Sequence, residues 1–285
     1  MSRTRTQTAL LAAGIGLRLL MSPESALPHG DIHDRLDALS QRIAEGGAGA
    51  DLYLQRADLL LQHGDPAAAL ADVVRASEGG SLAPELALLR SRALRALGET
   101  GAARAALDAF IAERPDDLRG YVARAELLAG VGEDRSACDD YARVVERSSS
   151  PSPDVFAAWA RCMDRSGQWR GALAALDEGA RRTGAVSLTA MAVDMALAHG
   201  AADEALARVD AILAGAGRKE TWRLRRAEIL AGAGRGPEAA LVASQALAEV
   251  ERLPTAVRET AAMRDLCARA GRLAGEQGTG EVARD

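Results

Sequence analysis

The sequence predicts an all-α protein built as a repeat solenoid, and three observations carry that expectation. Glycine stands at positions 64, 98, 132, 167, 200 and 234, at intervals of 34, 34, 35, 33 and 34 residues. Five residues after each of these glycines stands an alanine: Ala69, Ala103, Ala137, Ala172, Ala205 and Ala239. With 63 alanines among 285 residues, six such matches arise by chance on the order of once in ten thousand trials, and a fixed period of this length is the signature of a repeat architecture. The composition agrees, since an Ala-rich chain with only 3% aromatic residues favours helices packed through small side chains over a domain built around one large pocket.

The first 28 residues differ from the rest. Arg3 and Arg5 precede an apolar run from Ala9 to Leu17, which resumes after Arg18 as Leu19-Leu20-Met21, and the first acidic residue is Glu24. This order reads as a signal peptide or leader over 1–28, with cleavage expected between Ser22 and His29. The run is shorter than the roughly 20 apolar residues that a spanning helix needs, so no integral membrane span is expected. Export places the chain in the periplasm or elsewhere outside the cytoplasm; the alternative is an intact leader on a cytoplasmic protein. Neither a lipid-attachment cysteine nor a twin-arginine pair accompanies the run.

Residues 29–49 read as a degenerate leading repeat or N-terminal cap. Asp31 to Glu45 fits a helix with Ile32, Leu36, Leu39 and Ile43 on one face and Asp31 as its N-cap, and Gly30 lies 34 residues before Gly64. Six units follow over 50–253, at 50–83, 84–117, 118–152, 153–185, 186–219 and 220–253. In each, the periodic glycine closes a first helix in the left-handed conformation that glycine adopts without strain. Seven residues earlier stands a small or β-branched residue (Ala57, Ser91, Ala125, Ala160, Val193, Ala227), which lets the first helix cross closely over the second at the periodic alanine. One turn beyond that alanine come Val73, Leu107, Tyr141, Leu176, Val209 and Ala243, on the same face. Each helix pair buries only part of its apolar surface, and stacking completes the core. After Pro254, residues 254–274 are expected as one capping helix with Val257, Ala261, Leu266 and Ala270 covering the last repeat. The Gly-rich, charged stretch 275–285 is expected as a disordered tail.

These columns resemble the tetratricopeptide repeat, a 34-residue helix-turn-helix unit with small residues at its eighth and twentieth positions and an aromatic often at its fourth. Here the fourth position reads Tyr53, Ala87, Tyr121, Phe156, Thr189 and Arg223, so the last two units diverge. Three units share a segment almost verbatim, at Arg56 to Leu60, Arg124 to Leu128 and Arg226 to Leu230. The resemblance implies a right-handed superhelical solenoid of bacterial type whose concave wall is lined by the first helix of each unit. It also implies a non-catalytic scaffold or adaptor whose partner is a protein or peptide. Carried onto this chain, the fifth and ninth positions name the groove residues. The apolar strip includes Leu54, Leu88, Val122 and Leu224, and the alternating charges are Asp58, Arg92, Glu126, Arg161, Asp194 and Glu228. Trp222, near the start of its unit, is the aromatic expected to meet a partner, whereas Trp159 and Trp169 fall on core columns. The family's carboxylate clamp uses Lys and Asn at these positions, and neither stands there. The charges have a second explanation, pairing with one another across neighbouring units.

Other chemistry is sparse. A net charge of −5 with both signs interspersed argues against a nucleic-acid partner. No Ser-His-Asp order, phosphate loop or dinucleotide fingerprint marks a catalytic residue or a cofactor, so the chain reads as no enzyme. Cys138, Cys162 and Cys267 lack metal-ligand spacing and read as buried thiols, with a Cys138–Cys162 disulfide left open. Two alternatives remain. One is metal or redox handling through His29 and His33, which lie four residues apart beside Asp31 and Asp34; no metal site is assigned, because helix capping by Asp31 explains the segment. The other is self-association into a structural oligomer. His63 and His199, each beside a periodic glycine, are expected to cap helix ends rather than bind metal.

Overall fold

The computed structural model describes residues 29–46, 49–80 and 83–275, without the side chains of 29–31. The leader and nearly all of the tail lie outside these residues. Fifteen helices follow one another, with no strand among the described residues. They fall into two units, Met1–Gly80 and Ser81–Asp285.

The first unit holds α1 (His29–Ala44), α2 (Ala50–His63) and α3 (Pro66–Glu78). Its α1 starts two residues earlier than the capping pattern suggests, so Asp31 stands inside the first turn and not at the N-cap. Between α2 and α3 the chain turns at Gly64, φ 89°, and Asp65 caps α3 by accepting the Ala68 N–H at 3.0 Å ahead of Pro66. Ala57 and Ala69 are fully buried where α2 crosses α3, and Leu39 of α1 packs on Leu52 and Leu59 of α2.

The second unit runs as five helix pairs: α4 (Pro84–Ala96) with α5 (Thr100–Glu113), α6 (Leu118–Gly130) with α7 (Asp134–Arg147), α8 (Pro153–Arg165) with α9 (Trp169–Thr183), α10 (Val186–Ala198) with α11 (Ala202–Gly215), and α12 (Glu220–Gly232) with α13 (Gly236–Glu251). A short α14 (Thr255–Arg258) and a longer α15 (Ala261–Gly275) close it. Each pair turns on a periodic glycine with positive φ, from 70° at Gly200 to 84° at Gly167. The periodic alanines are buried, and so are their partners seven residues before the glycines, as close crossing requires. The continuous capping helix expected over 254–274 is broken at Glu259 and Thr260, and α14 buries no residue. Ala261 is exposed, and Met263 takes its place beside Leu266 and Ala270 in the seal of the core.

Candidate functional site

Within the second unit, first helices of successive pairs lie side by side. α4 touches α6 and α8 touches α10, while α15 lies against α12 in the position of a further first helix. The wall they form is hollowed at its C-terminal end. There α10, α12 and α15 enclose a cavity of about 540 Å³ lined by Val193, Asp194, Trp222, Leu224, Arg225, Glu228, Met263, Asp265, Leu266 and Arg269, among others. Its floor is apolar, since Val193, Leu224, Met263 and Leu266 are buried core residues, and half-buried Trp222 stands beside them.

The rim is charged and internally paired. Arg225 holds Asp194 and lies 3.9 Å from Glu228. Arg269 donates from Nε to Glu228 at 2.9 Å and from Nη1 to Asp265 at 3.3 Å. The sequence Asp194, Arg225, Glu228, Arg269, Asp265 is thus a chain of alternating sign, with the two aspartates most open to solvent, at 67% and 65% exposure. Such a site can receive an apolar side chain on its floor and a cationic group at its aspartate rim.

Four of the groove residues named from the sequence, Asp194, Trp222, Leu224 and Glu228, are brought together here. Leu224 is only 3% exposed, so it serves as floor and not as an open strip. Leu88 and Val122 lie further along the second unit, half-buried against Phe110, Tyr121 and Val144, and Arg92, Glu126 and Arg161 are exposed. Leu54 and Asp58 belong to the first unit. There Leu54 is 8% exposed, which makes it a core residue and corrects its place on the wall, and Asp58 accepts a hydrogen bond from Gln62 at 2.8 Å.

Sequence columns missed Arg225, Arg269 and Met263. Arg225 had a signal: opposite charges 31 residues apart meet repeatedly, as Asp116 with Arg147, Asp134 with Arg165, Asp177 with Arg208 and Asp194 with Arg225. One repeat less one helical turn places the later residue beside its predecessor on the next pair. A second register runs at 16 residues. Arg56 forks onto buried Asp72 at 2.6 and 2.8 Å, and Arg124 onto buried Asp140 at 2.7 Å through both nitrogens. Arg124 also reaches Asp108, and Arg226 reaches Asp210, on the second helix of the preceding pair. The near-verbatim Arg segments therefore mark helix-bridging ion pairs.

His63 and His199 stand at the ends of α2 and α10, as expected of them, and their rings also reach sideways to a neighbouring element. His63 Nε2 lies 3.3 Å from His33 Nε2, and His199 Nε2 lies 2.6 Å from Asp164 with its ring stacked on Trp169 at 4.7 Å. The pairing of His33 with His29 falls on a side chain outside those described. Trp159 and Trp169 are half-buried against the core. Cys138 and Cys162 are buried free thiols in one cluster with Tyr141. Burial pushes the Cys138 thiol up to about 11 and raises Cys162 as well, which leaves both protonated and poorly nucleophilic. Among the described residues no helix is long and apolar enough to cross a membrane, and no group of three metal-binding side chains occurs.

The structure is similar to that of a tetratricopeptide repeat protein from Parabacteroides merdae, at 16% identity and a TM-score of 0.51, over 85% of this chain and 93% of that one. The fold is that of the tetratricopeptide repeat. A second similar structure is the APC/C hetero-tetramer Cut9–Hcn1, at 11% identity and a TM-score of 0.52; the match covers 85% of this chain and 46% of that one. No family model and no curated protein matches the sequence. The tetratricopeptide fold supplies a frame of paired helices, and the chemistry of binding resides in the side chains described above.

Proposed function

We propose that this chain is a non-catalytic adaptor that holds a protein or peptide segment against its first helices, with the Trp222 cavity as the main anchor. The observation that carries this reading is the convergence of Trp222, Leu224, Asp194 and Glu228 on one apolar-floored, charge-rimmed hollow. An apolar side chain seats on the floor, and a neighbouring Lys or Arg is drawn to Asp194 and Asp265. Peptides selected from a random display library on the full chain should carry an apolar residue next to a basic one. Their affinity should fall at least tenfold in Trp222→Ala and in Asp194→Ala, and stay unchanged in Leu241→Ala, an exposed position on α13. Peptides that bind equally well to the Trp222→Ala protein would move the site elsewhere.

The same adaptor works in the cell envelope, exported by its leader; the basis is the order of Arg3 and Arg5, the apolar run and the first acid at Glu24. N-terminal sequencing of the protein from fractionated cells decides this. A start between Ser22 and His29 outside the cytoplasm supports export, and an intact Met1 in the cytoplasm refutes it.

A further inference from the structure

We propose that His33 and His63 form a two-histidine site for a divalent transition-metal ion, Zn²⁺ or Cu²⁺, which ties the start of α1 to the end of α2. Their Nε2 atoms lie 3.3 Å apart, with ring centroids at 4.5 Å and planes inclined by 74°. Two nitrogens bound to one tetrahedral zinc at about 2.0–2.1 Å are necessarily about 3.3–3.4 Å apart, so the pair already has the spacing of two ligands on a common ion. As a hydrogen bond the contact has little to gain, because both rings are exposed and water competes for either nitrogen. The same exposure leaves an ion a direct path in and gives the rings room to adjust.

Each ligand comes from a different helix. His33 sits in the second turn of α1, and His63 is the last residue of α2. Further along α1 the two helices are tied where Leu39, flanked by Leu36 and Ile43, packs on Leu52 and Leu59, and where Ser40 accepts a hydrogen bond from Arg56 at 3.0 Å. A bound ion therefore adds a tie between the two helices one turn before Leu36. Among the described residues no third His, Cys or carboxylate completes a larger group, and imidazole sets the preference for zinc or copper over magnesium or calcium.

Calorimetric titration of the full chain with ZnCl₂, and separately with CuCl₂, tests this. One ion per chain should bind and raise the thermal midpoint. His33→Gln and His63→Gln should each weaken binding at least tenfold and abolish that rise, with far-UV circular dichroism unchanged. His199→Gln should bind as the parent does. Absence of saturable binding overturns the proposal, and so does binding that survives His63→Gln. Loss in His29→Gln with retention in His63→Gln also overturns it, because the ion would then sit on α1 alone.

Discussion

Gly179→Ala should destabilise the second unit by about 1–2 kcal/mol, even though alanine is the better helix former. Gly179 is buried in α9 beneath Phe156, whose side chain is completely covered. A Cβ at this position would stand 2.6 Å from Phe156 Cγ, 2.8 Å from Phe156 Cβ and 2.8 Å from Leu188 Cδ1. The Phe156 Cβ is fixed to the backbone of α8, so relief requires α8 and α9 to separate. The helix-propensity gain is about 1 kcal/mol, and overpacking against two rigid atoms costs about 2–3 kcal/mol, which sets the sign. Two companions isolate the packing contribution. Gly271→Ala in α15 meets no atom within 4 Å and should stabilise by about 0.5–1 kcal/mol. Gly171→Ala meets only the flexible end of Met163, its Cε at 2.6 Å, and should fall between the other two. Urea denaturation followed by far-UV circular dichroism ranks the three. A Gly179→Ala protein as stable as Gly271→Ala would refute the argument, since it would mean that Phe156 does not rest on that glycine.

Further outcomes follow from the buried polar groups. Arg124→Met strips Asp140, a side chain 6% exposed, of its forked partner and should cost about 3 kcal/mol, and the double variant Arg124→Met/Asp140→Leu should recover most of the loss; a double-mutant cycle measures both. Burial raises Cys138 from an ordinary 9.0 to about 11 and Tyr141 from 10.0 to about 12. Both groups are neutral when protonated, so their contribution is complete below the ordinary values and is lost as pH rises toward the folded ones. Thermal midpoints should therefore hold up to about pH 8 and decline from about pH 9 to 12, less steeply in Cys138→Ala and Tyr141→Phe. An equal decline in these variants and the parent would assign alkaline sensitivity to other groups.

Much of the fold was legible from period alone. Gly64, Gly98, Gly132, Gly167, Gly200 and Gly234 all have positive φ, and the alanines five residues later are all buried, because helix termination and close crossing are short-range requirements written at fixed offsets. The site was legible only in part. Asp194, Trp222 and Glu228 line one cavity, but Leu54 and Leu224 are covered, because column number gives the face of a helix and not how tightly the neighbouring helix closes over it. The cavity exists because α15 takes the place of a further first helix, and α15 has no periodic glycine to announce it.

The sequence by itself determined the helix pairs, their turns and the residues at their crossings, since each follows from spacing within about one repeat. Tertiary structure alone decided the rest. It set Arg269 on Glu228, His33 on His63, His199 on Asp164 and Gly179 under Phe156. Such contacts depend on how side chains from separate helices converge, and among the described residues they do not recur at the repeat interval, so no period records them.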